Sequence, residues 1–152
     1  MEIVLIRHGQ PEWMPNNIYT KNPGLTDLGK LQSQKSSSVF QKNDIDELWV
    51  SPLKRAQETF TPFKEKGVAK STYIYEWLQE MQDDEEEALY GKSSEEIMAF
   101  FEKRNSQSFE EWTVGNHGKY MEKFSKNIVS NLEIELEKRG IVSLDTKFDR
   151  RF

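Results

Sequence analysis

Cysteine is absent from the 152 residues, and histidine occurs only twice, as His8 and His117. The first absence excludes disulfides, zinc–thiolate sites and thiol nucleophiles, while leaving the redox compartment open. There is no run of basic residues, and the formal net charge is −5. That balance lacks the electrostatic footprint of a nucleic-acid or anionic-membrane binder. Long apolar runs are missing too, and none approaches a membrane span. The apolar run at residues 3–6 has no basic region before it and is too short for a signal peptide. A soluble cytoplasmic protein is the expectation, with neither nucleic acid nor membrane as partner.

What is there suits one globular domain. Hydrophobic residues make up 36%, charged residues 31% and aromatics 12%. The chain is polar, yet its aromatic content argues against disorder. A length of 152 residues fits a single domain with a core of its own. An acidic protein that binds an anion must gather its arginines locally.

The organising stretch is Glu2-Ile3-Val4-Leu5-Ile6-Arg7-His8-Gly9-Gln10. A continuous apolar run closed by a turn signal predicts a strand buried on both faces. It delivers Arg7 and His8 to its carboxyl end, where open α/β sheets bind ligands. Arginine offers a fork of donors to phosphate or carboxylate. A neutral histidine beside it can be a nucleophile, a base or a metal ligand.

A loop over residues 10–24 follows, carrying Trp13, Met14 and Tyr19; long polar loops at strand ends are often functional, and Trp13 and Tyr19 read equally as core or loop-packing aromatics. Thr26 is an N-cap candidate, with Asp27 at the positive end of the helix. Leu28, Leu31, Lys35 and Val39 mark the mostly apolar face of that helix. Leu48-Trp49-Val50 predicts a second strand. Ser51-Pro52 predicts a helix start, and Leu53, Ala56, Phe60 and Phe63 should face the sheet. Gly67 stops this helix, and Thr72-Tyr73-Ile74-Tyr75 predicts a third strand.

Strand and helix alternate three times, which predicts an α/β fold: helices flanking a mainly parallel central sheet. Residues 76–119 break the rhythm as an insertion, with an acidic run at 83–87 read as a solvated loop. Ser93 and Glu96 form a capping box before a helix with Ile97, Phe100 and Phe101. Met121, Phe124, Ile128, Leu132 and Leu136 form an amphipathic stripe, with Gly140 a C-cap candidate.

Three strand ends now bring chemistry to one crevice: Arg7 and His8, then Ser51 and Arg55, then Glu80. Two arginines and a helix N-terminus make an anion pocket. A histidine inside it can attack phosphorus while the arginines stabilise charge on the equatorial oxygens. A protonated carboxyl group can protonate the leaving oxygen.

The ordered set Arg7-His8-Gly9, Leu25-Thr26-Asp27-Leu28-Gly29 with Gln32, Ser51-Pro52-Leu53-Lys54-Arg55-Ala56-Gln57-Glu58-Thr59 and Leu78-Gln79-Glu80 resembles the histidine phosphatase superfamily, also called phosphoglycerate mutase-like. The resemblance runs to about Gly140. Residues 90–97 are similar to the stretch that follows the acid in the phosphatase branch. It implies a three-layer α/β sandwich, with His8 as the nucleophile that becomes phosphohistidine. It implies that Arg7 and Arg55 hold the phosphate, and that Glu80 is the general acid on the leaving group and then the base for water. It implies no metal and no cofactor, and a small-molecule phosphate ester or a phosphorylated protein as partner.

The chain departs from the family mainly at its carboxyl end. The family's second histidine stands in a Val-Ser-His-Gly type motif after the long helix. Here Ile141-Val142-Ser143 is followed by Leu144. His117 comes before that helix and reads as a loop or surface histidine. A single domain over residues 1–152 is expected, with a tail at 141–152 that is missing or altered relative to the family. The leading reading is metal-independent phosphomonoester hydrolysis with reduced activity. The alternatives are a non-catalytic or truncated phosphate-ester binder and a phosphoglycerate mutase. Met14, where the mutase branch commonly has asparagine, weighs against the last.

Overall fold

The computed structural model describes residues 2–80, 87–105 and 116–141. Their order is helix α1 (Asp27–Ser38), strand β1 (Ile45–Val50), helix α2 (Lys54–Lys66), strand β2 (Ala69–Ile74), helix α3 (Ser94–Asn105) and helix α4 (Asn116–Lys138). Single 3-10 turns lie at Pro15–Asn17 and Glu76–Leu78. The architecture is α/β with a parallel sheet and flanking helices, as the alternation of patterns predicts. β1 and β2 pair in parallel, with Ile45 opposite Ala69 and Trp49 opposite Tyr73.

Local signals explain most boundaries. Thr26 caps α1, accepting the Gly29 N–H at 3.0 Å. Gly67 ends α2 at φ +65°, a left-handed conformation that glycine adopts without strain. The next N–H, from Val68, then returns to the Phe63 carbonyl at 3.0 Å. Val68 and Phe63 are both buried, so the helix stop is also a piece of core. Glu96 accepts the Ser93 N–H at 3.0 Å in the expected capping box. The α2 start is corrected: its first residue is Lys54 and its N-cap is Leu53, so Ser51 and Pro52 lie before the helix. Ser51 instead accepts the Leu53 N–H on its hydroxyl at 3.4 Å and the Gln57 amide on its carbonyl at 2.6 Å.

Two larger expectations fail. Residues 3–6 form no strand, and Ile3, Val4, Leu5 and Ile6 are 39–79% exposed. Among the described residues the sheet has two strands, β1 and β2. A strand is defined by its ladder, so apolar content alone does not make one. The second failure concerns α1. Leu28, Leu31 and Val39 are exposed, and the buried positions are Gly29, Ser33 and Ser37. These small residues, four apart, face Arg55, Thr59 and Phe63 of α2, which are also four apart. The Ser33 hydroxyl donates to the Thr59 carbonyl across this contact. Close approach of the two helices, not side-chain hydrophobicity, decides which face of α1 is covered.

The long helix starts earlier than its apolar stripe, so His117 lies in its first turn rather than before it. Its far end docks on the sheet through Arg139. That guanidinium donates to Glu47 at 2.6 Å, to the Glu135 carboxylate and carbonyl at 2.7 Å each, and to the Tyr75 hydroxyl at 3.2 Å. It also lies over the rings of Trp49 and Tyr73, at 4.8 and 5.4 Å. Hydrogen bonds from Lys138, Arg139 and Tyr75 hold the Glu135 carboxyl down to about 2. Burial, followed by the hydrogen bond to Glu135, raises Tyr75 above the usual phenol range. Most of the acidic run at 83–87, the segment 106–115 and the tail expected from residue 142 lie outside the described residues.

Candidate active site

Gly9 is where the amino-terminal segment meets the helical layer. A Cβ on Gly9 would sit 2.9 Å from the Gly29 carbonyl carbon, and one on Gly29 would sit 2.9 Å from the Gln10 nitrogen. Neither position has room for a side chain, so glycine allows the two backbones to touch. Its N–H donates to the Thr59 hydroxyl at 3.0 Å, and that hydroxyl donates to the Arg55 carbonyl at 2.7 Å. Gln10 is held in turn by Gln32 at 2.8 Å and Thr26 at 3.0 Å. His8 is thus fixed one residue from a contact that ends on Arg55.

His8 is half-buried, and its Nδ1 lies 2.9 Å from the Gly9 carbonyl. A carbonyl only accepts, so Nδ1 is the donor here, and in the neutral ring this arrangement leaves the lone pair on Nε2. That tautomer leaves Nε2 as a nucleophile. Arg7, the residue before it, is exposed and makes no hydrogen bond or ion pair among the described residues.

Arg55 sits in the first turn of α2 with its side chain only 3% exposed. Its Nη2 donates to Glu80 at 2.8 Å, and the Glu80 side chain is 60% exposed. Trp13 lies over the guanidinium at 4.8 Å. The Arg55 Nε is buried without a hydrogen-bond partner among the described residues. A buried donor left unmade is unfavourable by about 1–3 kcal/mol, more for a charged group. This N–H is therefore poised to donate to an anion. The Lys54 N–H at the start of the helix is not, because Asn22 accepts it at 2.8 Å.

Arg55 and Glu80 line a cleft of about 190 Å³ with Lys21, Leu53, Gln79 and Glu87. The structure thus brings together two of the four expected residues. His8 approaches through Gly9 and Thr59 but does not line this cleft, and neither does Arg7. Among the described residues, no three His, Asp or Glu side chains cluster closely enough to hold a metal ion.

Two residues of the 10–24 loop lie by Arg55 without being singled out for the site by the sequence: Trp13, read as a core or loop-packing aromatic or as part of a functional loop, and Lys21. Trp13, Tyr19 and Tyr90 stack in one column, with centroid spacings of 5.6 and 5.4 Å. Lys21 lies over the Tyr90 ring at 5.6 Å from its centroid, and pairs with Glu87 at 3.1 Å. The available signal was a loop carrying Trp13 and Tyr19 beside an expected arginine pocket, since a guanidinium favours an aromatic face.

A parallel α/β layer thus carries a buried arginine beyond a strand end, with its Nε unpartnered among the described residues. The chain belongs to the histidine phosphatase superfamily (branch 1), whose family model matches residues 3–141. It is 38% identical over 61 residues to a 2,3-bisphosphoglycerate-dependent phosphoglycerate mutase from Parvibaculum lavamentivorans, a stretch covering 38% of this chain and 29% of the mutase. The corresponding mutase from Bartonella henselae is 39% identical over 61 residues, 38% of this chain and 30% of the mutase. These matches therefore span under a third of the relatives' length.

The fold also resembles that of an Escherichia coli K-12 protein assigned as an alpha-ribazole-5'-P phosphatase. The TM-score is 0.62 at 21% identity, covering 87% of this chain and 65% of that one. A mycobacterial glucosyl-3-phosphoglycerate phosphatase complexed with VO3 gives 0.55 at 20% identity, covering 84% and 62%.

Proposed function

We propose that this chain hydrolyses a small phosphate monoester through a phosphohistidine at His8, without a metal. The observation that carries this reading is Arg55: a guanidinium almost wholly buried, tied to Glu80 on one nitrogen and open at Nε. The His8 Nε2 lone pair attacks phosphorus as the bond to the ester oxygen breaks. Arg55 and Arg7 hold the non-bridging oxygens, where charge is spread. Glu80 gives its proton to the leaving oxygen. It then takes a proton from the water that attacks phosphohistidine, releasing inorganic phosphate and free His8.

A second reading, a phosphate-ester binder without turnover, is favoured by one observation: Arg7 and His8 lie off the cleft lined by Arg55 and Glu80. The mutase relatives support a third, in which the phosphoryl group is returned to a sugar acid instead of to water.

Hydrolysis of an aryl phosphate with chelator present separates them. The expected result is turnover that His8→Ala abolishes, with radioactive phosphate trapped on His8 in protein denatured at alkaline pH, where the N–P bond survives. Glu80→Gln should slow turnover by about 10²–10⁴. Phosphate binding without turnover would establish the binder. Chelator-resistant activity unchanged in His8→Ala would overturn the phosphohistidine.

A further inference from the structure

We propose that Trp13 is a positioning residue, which fixes the plane of the Arg55 guanidinium and keeps its donors available to phosphate. The inference rests on the proposed role of Arg55 in holding phosphate. Guanidinium donors lie in the plane of the group, and its faces carry none. Glu80 fixes Arg55 by consuming an N–H, whereas Trp13 holds the guanidinium carbon over its ring, 4.8 Å from the centroid, and offers it no hydrogen-bond acceptor oxygen or nitrogen. That difference leaves the buried Nε unpartnered yet held in one orientation.

A ring can orient a cation only if the ring is itself held. Trp13 stacks on Tyr19, and Tyr19 on Tyr90. The Thr20 N–H closes the loop onto the Trp13 carbonyl at 2.9 Å. Tyr19 is tied to the far segment by two backbone bonds: its N–H to the Lys92 carbonyl and its carbonyl to the Gly91 N–H, both 2.9 Å. Ile18 bridges Ser93 beside them. Two segments 70 residues apart in sequence therefore meet in one column that ends on the phosphate arginine. The proposal gives the aromatic loop a chemical purpose beyond packing.

Trp13→Phe keeps an aromatic face, and Trp13→Leu keeps comparable apolar bulk without one. Inorganic phosphate is titrated calorimetrically into the unaltered chain and both variants, with thermal unfolding of each and with kcat and KM for the aryl phosphate. The expected result is phosphate affinity about tenfold weaker in Trp13→Leu and within about threefold of the original in Trp13→Phe, a gap set by the loss of the cation–π contact. KM should rise with it while the unfolding midpoints of the two variants agree. Equal affinity in Trp13→Phe and Trp13→Leu would overturn the positioning role and leave the phosphatase reading standing. No phosphate binding by the unaltered chain would overturn both.

Discussion

Two arginines in this molecule lie at the same distance from a tryptophan, and they are otherwise opposites. Arg139 sits 4.8 Å from Trp49 and Arg55 sits 4.8 Å from Trp13. Arg139, 21% exposed, donates from all three nitrogens to Glu47, Glu135 and Tyr75. Arg55 is 3% exposed and donates from one nitrogen, to Glu80, with its Nε unpartnered among the described residues. The more buried cation is the less satisfied one, which is the reverse of what stability favours. A saturated arginine ties elements together. A buried arginine with an open donor is, under the proposed function, the one that receives the phosphate.

The comparison breaks most sharply on Arg55→Ala. Removing the cation should weaken inorganic phosphate binding by about 10²-fold or more, since a charge-assisted, buried hydrogen-bond partner is lost. The thermal midpoint should stay near its original value, because the fold loses little that was satisfied. A large drop in midpoint with unchanged phosphate affinity would make Arg55 a second structural clamp.

Gly29→Ala tests the site from the backbone side. The added Cβ would fall 2.9 Å from the Gln10 nitrogen, so the segment carrying His8 must move away. Destabilisation of about 1–3 kcal/mol is expected from this overpacking. Hydrolysis should fall further than the loss of folded protein explains, and comparing activity with the folded fraction across a urea titration separates the two effects.

Arg139→Ala is the mirror of Arg55→Ala. It leaves the Glu135 and Glu47 carboxylates without their shared donor, and about 1–2 kcal/mol of stability should be lost. Phosphate affinity should be unchanged, since Arg139 does not line the cleft. Equal losses of affinity in Arg139→Ala and Arg55→Ala would erase the distinction between the two arginines.

How much of this could be read from residues alone follows from how local each feature is. Thr26, Gly67 and the Ser93–Glu96 box act within a few residues, and each works as its sequence predicts. β1 and β2 were legible because alternation with helices fixes a parallel pair. Residues 3–6 show the limit: their apolar run states a preference for burial, but a strand needs a partner that no short stretch specifies. The same holds for α1, where Gly29, Ser33 and Ser37 are buried and the leucines are not, because the covered face depends on how closely α2 approaches. Arg55 and Glu80, 25 residues apart, were placed together by the rule that ligands gather at strand ends, and they form an ion pair. Trp13 reads as packing or as part of a functional loop, and its pairing with Arg55 stays unread because its neighbours do not specify which cation it meets.

The finest test of the contrast is pH, because the Arg139 cluster holds a carboxylate pulled far down. Glu135 falls from an ordinary value of 4.5 to about 2 in the folded chain, chiefly through hydrogen bonds from Lys138 and then Arg139. A carboxyl group whose folded value is depressed contributes stability in full above its unfolded value, and that contribution is lost as the pH falls through the folded one. The window is therefore from about 4.5 down to about 2. Glu135→Gln keeps the shape and removes the charge, so its unfolding midpoint should lie below that of the unaltered chain at neutral pH. The gap should narrow steadily from pH 4.5 downward. A gap independent of pH over that range would mean that Glu135 contributes as an uncharged hydrogen-bond acceptor, and that the Arg139 cluster is held by its aromatic faces rather than by its carboxylates.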